Sequence, residues 1–310
     1  MEQNKKNGKV AVIGLAGQSA FMTADHFPVP GETIPCSSLF FELGGKGYNQ
    51  AIACARMGVE TVFIGAVGDD VNGVECKAAL EKEGITACLI KKNVPTAYAV
   101  ITTRADSENT VSVYSGAAKS LNGEDLQREE IRREIADCDY LLLQNELSVE
   151  CLEANFALAG ELHIPVIFNP APADHIPAKL FTECEVITPN YGEAKAITGF
   201  VAEDTPSDDE LLGAFRQLGI KKAVITMGRK GALLIDGENV SQMPAVSCGT
   251  AIDTTGAGDT FNGTLTAALA LGKSLEEAAG LAAIAAGISV TRRGAAGSIP
   301  TSDEIKKYKF

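Results

Sequence analysis

Short apolar runs alternate with longer amphipathic stretches along most of the chain. The runs are rich in β-branched residues, and the stretches between them carry Ala, Leu and Glu at helical spacing. The predicted strands cover residues 9–14, 61–65, 140–143, 166–168, 186–188 and 223–226. The predicted helices cover residues 46–57, 71–83, 123–135, 148–160, 190–197 and 206–218. Buried strands that alternate with helices indicate an α/β fold with a doubly wound, mainly parallel sheet and helices on both faces.

Two segments, residues 15–44 and 95–120, break this alternation. They carry strand-like stretches at 37–43, 97–103 and 111–114, with no helix between them. Long loops without a purpose are uncommon in compact domains, so we predict a small β-sheet lid over one edge of the main sheet. A pair of ordinary long loops is the alternative. No linker rich in Pro or Ser divides the chain, and residues 1–310 are therefore predicted to form a single domain.

The charge balance restricts the class of partner. The 310 residues include 27 Lys and Arg against 40 Asp and Glu, which gives a formal net charge of -13. Such a surface repels nucleic-acid backbones and anionic membranes. The chain has no Trp and few aromatic residues, so a base-stacking platform is not expected either. We therefore expect a small-molecule substrate rather than a nucleic acid or a membrane.

The cysteines and the chain start favour a cytoplasmic protein. The eight cysteines are scattered, without a CxxC pair or a histidine at ligand spacing. They are typical of reduced thiols rather than of disulfides or zinc ligands. The first nine residues are polar, and no stretch reaches the roughly 18 apolar residues of a membrane span. We expect no metal apart from a cation that accompanies a nucleotide.

The strongest local signal is Asp253-Thr-Thr-Gly-Ala-Gly-Asp-Thr-Phe-Asn-Gly263, which opens an Ala-rich predicted helix. Gly256 and Gly258 allow the backbone to approach a ligand closely. The helix start leaves unpaired N–H groups at the positive end of its dipole, which suits phosphate. Asp259 would repel phosphate, so we interpret it as a general base that accepts a proton from an attacking alcohol. A plain glycine turn with Asp259 as a helix cap is the alternative.

A second glycine-rich segment, Leu43-Gly-Gly-Lys-Gly-Tyr-Asn49, precedes the helix predicted at residues 46–57. It is neither the dinucleotide fingerprint nor the P-loop, because both spacings are absent. The segment combines a tight turn with one cationic side chain, Lys46, and one amide side chain, Asn49, at the start of a helix. Such donors suit a ligand rich in hydroxyl groups, although an ordinary helix start explains the segment as well.

In this order the two motifs resemble the ribokinase (PfkB) family of carbohydrate kinases. The resemblance extends from about Val10 to Pro300. Matching segments are Phe27-Pro-Val-Pro-Gly-Glu32, Glu146 after the strand at 140–143, Asn169-Pro-Ala-Pro-Ala173, Asn190-Tyr-Gly-Glu193, Thr226-Met-Gly-Arg-Lys-Gly231 and the segment 290–300. The resemblance implies a ribokinase-like fold and transfer of the γ-phosphate of ATP to a primary alcohol of a small sugar.

The resemblance also implies roles for individual residues. Asp259 would be the catalytic base. The anion hole would be formed by Gly256, Ala257 and Gly258, and the sugar would contact Gly45, Lys46, Asn49, Glu146, Gly17 and Ser19. ATP would contact Asn190, Thr226, Gly228 and Gly231, and Glu193 would hold Mg²⁺ through water. A K⁺ site would use Asp253, Thr255, Arg292, Gly294 and Ser298.

One departure from the family pattern concerns the acceptor. Ribokinase-like chains usually place an Asn and an Asp after the first strand, where this chain has Gly17 and Ser19. A serine offers one neutral contact to a sugar hydroxyl, whereas a carboxylate accepts two with charge assistance. We therefore expect the best acceptor to be a molecule other than ribose, such as a ketose, a deoxy sugar or a nucleoside. Asp25 is a candidate substitute for the missing carboxylate.

Two alternatives to a sugar kinase stay open at this point. One is a nucleoside kinase on the same scaffold, which Tyr48, Tyr98 and Phe21 would favour if they line the acceptor pocket. The other is a catalytically silent sugar-binding regulatory protein, which would be expected to have lost the base or the anion site. An open lid edge could pair with a second copy, so we expect a homodimer through the lid.

Overall fold

The computed structural model describes residues 8–104 and 108–308. The strands are β1 Lys9–Ile13, β2 Gly17–Thr23, β3 Ser38–Gly44, β4 Glu60–Gly68, β5 Thr86–Lys92, β6 Ala97–Thr103, β7 Asn109–Tyr114, β8 Tyr140–Gln144, β9 Val166–Asn169, β10 Val186–Ile187, β11 Lys222–Thr226, β12 Ala232–Asp236 and β13 Asn239–Met243.

The helices alternate with these strands over most of the chain. They are α1 Lys46–Arg56, α2 Val71–Lys82, α3 Gly123–Leu126, α4 Glu129–Ile135, α5 Val149–Leu162, α6 Leu180–Glu183, α7 Tyr191–Thr198, α8 Asp208–Gln217, α9 Ala257–Ala270, α10 Leu275–Ser289 and α11 Ser302–Ile305. Short 3₁₀ helices lie at Gly116–Ser120, Gly228–Lys230 and Ala296–Ser298.

The main sheet has nine strands in the order β13-β12-β11-β10-β9-β8-β1-β4-β5. The strands from β11 to β5 are parallel, and the β12–β13 hairpin adds two antiparallel strands at one edge. The predicted fold class is therefore confirmed. The pattern missed β5, β12 and β13, and the helix predicted at 123–135 is divided into α3 and α4.

Alternate residues of the central strands bury both faces of the sheet. Ala11 and Ile13 of β1 belong to one apolar cluster, and Val10 and Val12 belong to the other. All four side chains are completely buried. Because successive side chains of a strand point to opposite faces, this arrangement requires helices on both sides. The carboxyl ends of the parallel strands therefore meet at one edge, where α1, α7 and α9 begin.

A separate four-stranded sheet has the order β3-β2-β6-β7. Strand β2 pairs with β3 in antiparallel and with β6 in parallel orientation, and β6 pairs with β7 in antiparallel orientation. We call this sheet the lid. Its strands come from the two segments that interrupt the helical alternation in the sequence.

Among the helices of residues 8–104 and 108–308, none combines the length and the apolar character that a membrane span requires.

Candidate active site

The first turn of α1 lies under the lid because of two glycines. Gly45 has φ 112°, and a Cβ there would lie 2.4 Å from the carbonyl oxygen of Leu15. A Cβ on Gly47 would lie 2.8 Å from the Cα of Gly14 at the end of β1. Neither position accepts a side chain without moving backbone, so the sequence fixes how closely α1 approaches the sheet. Lys46 and Asn49 consequently enter the same cavity.

Asp259 lies in the first turn of α9 and is 9% exposed. Its Oδ2 accepts a hydrogen bond from Nδ2 of Asn49 at 2.8 Å, and its Oδ1 accepts one from Nε2 of Gln50 at 3.0 Å. Burial raises the pKa of Asp259, and Lys46 and these two amides oppose the rise. The result is a fixed carboxyl group with a raised pKa, which makes it a better proton acceptor than an exposed Asp.

A chain of buried amides and one hydroxyl supports Gln50 from below. Gln144 donates to Oε1 of Gln50 at 2.7 Å, and Gln50 donates to Oδ1 of Asn169 at 3.1 Å. Asn169 donates to the carbonyl oxygen of Thr188, whose hydroxyl donates to Asn262 on α9. The chain joins the ends of β8 and β9 to both helices that carry the site. Gln50 was not among the predicted site residues, although it directly follows the predicted Asn49.

Among the described residues of the cavity lining, one ammonium group lies among several carboxyl groups. Burial lowers the pKa of Lys46, but three neighbouring carboxyl groups outweigh burial and raise it. These carboxyl groups belong to Asp259, Glu146 and Glu193. Burial raises the pKa of Glu146 to about 7, against the opposing effect of the Lys46 charge and of the Lys46 N–H, which donates to Oε2 at 2.8 Å. Glu146 is therefore poised between its two protonation states near neutral pH.

Under the lid is a cavity of about 260 Å³, which we call the acceptor cavity. All six predicted acceptor-binding residues line it, and so does Asp259. They are Gly17, Ser19, Gly45, Lys46, Asn49 and Glu146. Oδ1 of Asn49 is buried and has no hydrogen-bond partner among the described residues. A buried acceptor without a donor is costly, and a ligand hydroxyl would satisfy it.

The structure explains why position 17 is a glycine rather than the Asn usual in the family. A Cβ on Gly17 would lie 2.3 Å from the carbonyl oxygen of Ala97 on the neighbouring strand β6, so this register leaves no space for a side chain. The suggested substitute, Asp25, is exposed and does not line the acceptor cavity, so that suggestion is wrong. A different carboxylate does line the cavity. It belongs to Glu42 on β3, which the sequence reasoning missed.

The three aromatic residues considered for a nucleoside site have different positions. Tyr48 is 3% exposed and lies in the hydrophobic core, outside the cavity lining. Phe21 lines the cavity and stacks on Phe40, with ring centroids 4.7 Å apart. Tyr98 contributes to the lining, but strand alternation places its side chain on the lid face opposite to that of Phe21.

The start of α9 is an anion site without a side-chain cap. Gly256 is the N-cap residue with φ 73°, and no side chain accepts from the first amides of the helix. The N–H of Ala257 donates to the carbonyl oxygen of Thr254 at 3.2 Å. Within the described chain, the N–H groups of Gly256 and Gly258 have no acceptor. Two of the three predicted anion-hole amides are therefore free for a ligand.

A second cavity, of about 560 Å³, lies beside α7 and the turn after β11. Asn190, Thr226 and Gly228 line it, as predicted for the nucleotide, whereas Gly231 does not. A Cβ on Gly231 would lie 1.9 Å from the carbonyl oxygen of Met243, so this glycine is required by the packing of the β12–β13 hairpin. We call this space the second cavity.

Glu193 and Asn190 form the N-terminal capping box of α7, in which each side chain accepts from the other residue's N–H. Burial raises the pKa of Glu193, which also responds to the charges of Lys46 and Asp259. Glu193 itself lines neither cavity, whereas its capping partner Asn190 lines the second cavity. In residues 8–104 and 108–308, no group of three or more His, Cys, Asp and Glu side chains is arranged to hold a metal ion.

The five residues predicted for a monovalent cation form two sets of contacts, Asp253 with Thr255 and Gly294, and Arg292 with Ser298. Asp253 accepts from the N–H groups of Thr255 and Gly294, both at 2.9 Å. The pKa of Asp253 is lowered overall. Burial alone would raise this pKa, but the hydrogen bonds and the charge of Arg293 have the larger effect. Arg292 donates to the carbonyl oxygen of Ser298. This edge adjoins the start of α9.

Asp259 combines a buried carboxyl group that borders the acceptor cavity with a place in the first turn of a helix whose N-terminal amides are free. This combination suits the transfer of a phosphoryl group to an alcohol. The chain belongs to the pfkB family of carbohydrate kinases, ATP-dependent phosphotransferases that act on sugars; the family model matches residues 7–302. The predictions of family, fold class and enzyme class are thereby confirmed.

Individual relatives cover nearly the whole chain. A ribokinase from Haemophilus influenzae is 36% identical over 301 residues, with 96% of this chain and 97% of that protein covered. A deoxyribokinase from Salmonella typhi is 30% identical, with 96% and 98% covered. The structure of Arabidopsis thaliana ribokinase in complex with ribose and ATP superposes with a TM-score of 0.87 at 28% identity, covering 97% of this chain and 98% of that one.

Proposed function

We propose that this kinase transfers the γ-phosphate of ATP to a primary hydroxyl of a small neutral sugar, with Asp259 as the general base. The observation that supports this most directly is the position of Asp259. Its carboxyl group borders the acceptor cavity, is fixed by Asn49 and Gln50, and lies in the first turn of the helix whose N-terminus is free to receive phosphate oxygens.

In the proposed reaction the acceptor hydroxyl loses its proton to Asp259 as its oxygen forms a bond to the γ-phosphorus. The bond between that phosphorus and the bridging oxygen breaks, and ADP leaves. The N–H groups of Gly256 and Gly258 would stabilise the charge on the transferring phosphoryl oxygens. Lys46 would hold the acceptor and balance the carboxylates around it. Positioning and electrostatics account for most of the expected acceleration, since the protein forms no covalent intermediate.

The second cavity is the proposed ATP site. Its lining combines the Asn190 amide, the Lys230 ammonium and the backbone turn at Gly228, which are donors suited to phosphate and ribose oxygens. Glu193 and the Asn190 side chain would hold Mg²⁺ largely through water, since oxygen ligands suit this ion. Bound Mg²⁺ would neutralise phosphate charge. We also propose a monovalent-cation site at Asp253, whose carboxylate has a lowered pKa and is held by the N–H groups of Thr255 and Gly294.

The acceptor is expected to be pentose-sized. The names of the relatives, ribokinase and deoxyribokinase, and the ribose in the Arabidopsis thaliana structure support this size. The side chain of Ser19 and the absence of one at Gly17 still argue against ribose as the best acceptor, since β2 offers sugar hydroxyls one neutral contact. A coupled ADP-release assay over a panel of pentoses, ketoses, deoxy sugars and nucleosides tests both claims. Turnover of no acceptor would refute the proposed function, and ribose as clearly the best would refute only the second claim.

A nucleoside acceptor is the second candidate. The stacked pair Phe21 and Phe40 presents a flat apolar surface on the lid, on which a nucleobase could lie. Burial of Tyr48 in the core removes one of the three aromatic residues that favoured this alternative. Faster turnover of a nucleoside than of its free sugar would select it. The silent regulatory protein is disfavoured, because both the base and the free helix start are present.

A homodimer through the lid is also proposed. Both edge strands of the lid expose large apolar side chains, each at least half exposed, namely Leu39, Phe40 and Phe41 on β3 and Val111, Val113 and Tyr114 on β7. Exposed apolar edge strands of this kind favour pairing with another sheet. We expect the protein to be cytoplasmic, because its substrate ATP is intracellular and its eight cysteines are free thiols.

A further inference from the structure

Glu42 is the only charged residue in the four lid strands, whose other residues are apolar, small or uncharged polar. It lies directly opposite Ser19 in the antiparallel pair of β2 and β3. Side chains of directly opposed residues point to the same face, with Cβ atoms about 4.5–5.5 Å apart. Both residues line the acceptor cavity. A carboxylate is therefore present beside Ser19, on the neighbouring strand.

The contacts of Glu42 leave part of its carboxylate free. Oε1 accepts from the N–H groups of Ala295 at 3.0 Å and Gly297 at 3.2 Å, and Oε2 accepts from Ala295 at 3.2 Å. Two N–H groups thus serve a group that offers about four acceptor positions. No Lys, Arg or His within the described ranges forms an ion pair with it. Its charge therefore acts on whatever enters the cavity.

The surroundings of Glu42 are rich in acceptors. A Cβ built on Gly44 would lie 3.8 Å from Oγ of Ser19 and 4.0 Å from the unpartnered Oδ1 of Asn49, so these two oxygens border the same space. Among the described residues that line the cavity, three carboxyl groups face a single ammonium group, that of Lys46. This balance suits a neutral or amino-bearing ligand that donates hydrogen bonds, and it opposes an anionic ligand.

We propose that Glu42 is a specificity-determining residue of the acceptor site. Its carboxylate accepts hydrogen bonds from hydroxyl or amino groups of the acceptor, in the place where Ser19 supplies only a hydroxyl. Its charge excludes phosphorylated and carboxylated sugars. This inference rests on the proposed kinase function, and it deepens that function by naming the class of acceptor and the residue that selects it.

Steady-state kinetics of Glu42→Gln and Glu42→Ala test the proposal, with ribose, 2-deoxyribose and the best neutral acceptor of the panel as probes. Glu42→Gln keeps an oxygen for the Ala295 and Gly297 amides but removes the charge. We expect the acceptor KM to rise about 10-fold or more in both variants, the size expected for a charge-assisted hydrogen bond. The kcat and the KM for ATP should change less than about threefold. Ribose 5-phosphate should compete with the acceptor at least about 10-fold better in Glu42→Gln.

A relocation of the carboxylate separates recognition from a structural role. In Ser19→Asp/Glu42→Ala the carboxylate moves to the directly opposed position on β2, which borders the same part of the cavity. The hydrogen bonds of the Glu42 side chain to the Ala295 and Gly297 amides are lost. Recovery of the acceptor KM to within about threefold of the wild type supports the proposal. Glu32→Gln is the matched control, because Glu32 is a carboxylate of the lid segment outside the cavity lining. It should behave as the wild type.

Three outcomes would overturn the proposal. The first is a Glu42→Gln variant whose acceptor KM stays within about twofold of the wild type while its kcat and its KM for ATP are normal. The second is a loss in Glu42→Ala that the relocated acid does not recover and that follows a lowered Tm, which would make Glu42 a structural link to the 294–298 loop. The third is a wild-type protein without turnover of any acceptor, which would refute the kinase function itself. The first two leave that function intact.

Discussion

Gln50 on α1 donates a hydrogen bond to Oδ1 of Asp259 on α9, across 3.0 Å and 209 positions of sequence. The same Nε2 group also donates to Asn169 at the end of β9. The orientation of the proposed base is therefore set by a side chain that itself has no freedom, since Gln50 is completely buried.

Asp259→Asn should abolish phosphoryl transfer and leave ATP binding intact. The amide keeps the size of the side chain but cannot accept the hydroxyl proton, and a general base typically contributes about 10²–10⁴-fold. We expect kcat to fall by at least about 10³-fold in a coupled assay, with an unchanged Kd for ATP by calorimetry. Asp236→Asn, an exposed carboxylate at the end of β12, is the control. Substantial residual turnover would contradict the assignment of the base.

Gln50→Met and Gln50→Glu should slow turnover and move its pH dependence. The Gln50 hydrogen bond lowers the pKa of Asp259, so its loss should raise that pKa, and a second carboxyl group in Gln50→Glu should raise it further. We expect kcat to fall about 10-fold or more, with the acid limb of its pH profile displaced to higher pH in both variants. A purely structural role would lower kcat by the same factor at every pH.

The pH dependence of acceptor binding should reveal Glu146. Burial raises its pKa to about 7, so the group is protonated below that value and ionised above it. If the ionised form accepts the acceptor hydroxyls, kcat/KM for the acceptor falls as the pH is lowered through about 7. Glu146→Gln should raise the acceptor KM and remove this limb, leaving only the limb due to Asp259. A limb near pH 7 that persists in Glu146→Gln would assign it to another group.

Gly17→Ala should damage the lid. The added Cβ would lie 2.3 Å from the carbonyl oxygen of Ala97, so β2 and β6 would have to move apart. Overpacking of this kind costs about 1–3 kcal/mol, which a lowered Tm would show together with a raised acceptor KM. Gly213→Ala on α8 is the matched control, because nothing lies within 4 Å of its Cβ position. That substitution should stabilise the helix by about 0.5–1 kcal/mol. Equal stability of the two variants would contradict the close approach at Gly17.

Phe41→Asp should dissociate the proposed dimer. Phe41 is 54% exposed on the edge strand β3, and a charge there would oppose its burial against a second lid. Sedimentation velocity should show the wild type as a dimer and Phe41→Asp as a monomer. Val201→Asp, at an apolar residue 60% exposed outside the lid, should stay dimeric. A monomeric wild type at micromolar concentration would refute the dimer.

Local pattern was enough to predict all the parallel strands of the main sheet except β5, and most helices, because buried strands and amphipathic helices differ in hydrophobic period. It failed where polar residues interrupt the period. Strand β5 ends in two lysines and lies at the edge of the sheet, next to β4. Its place in the sheet depends on pairing with β4 rather than on its own hydrophobic pattern. The β12–β13 hairpin was missed, although the Asp236-Gly237 pair between its strands is a recognised turn signal.

The candidate site could be predicted as far as its motifs reach. Lys46, Asn49 and Asp259 were found because each lies in a glycine-rich helix start with a chemical purpose. Gln50 and Glu42 were missed for another reason: their importance arises from contacts more than 200 residues away in sequence, with Asp259 and with Ala295. Only the fold brings such partners together. Tyr48 was overvalued for the same reason, since sequence alone could not show that it points into the core.

Helix α1 carries acceptor recognition and base orientation within one turn, because Lys46 and Asn49 face the acceptor cavity while Gln50 holds Asp259. A substitution there that altered which sugar is accepted would also disturb the chemistry. The lid strands have no such double duty, apart from the single link through Glu42. Evolution, or an engineer, can therefore retune this enzyme toward a new substrate at far lower risk by changing strands β2, β3, β6 and β7 than by changing the helix.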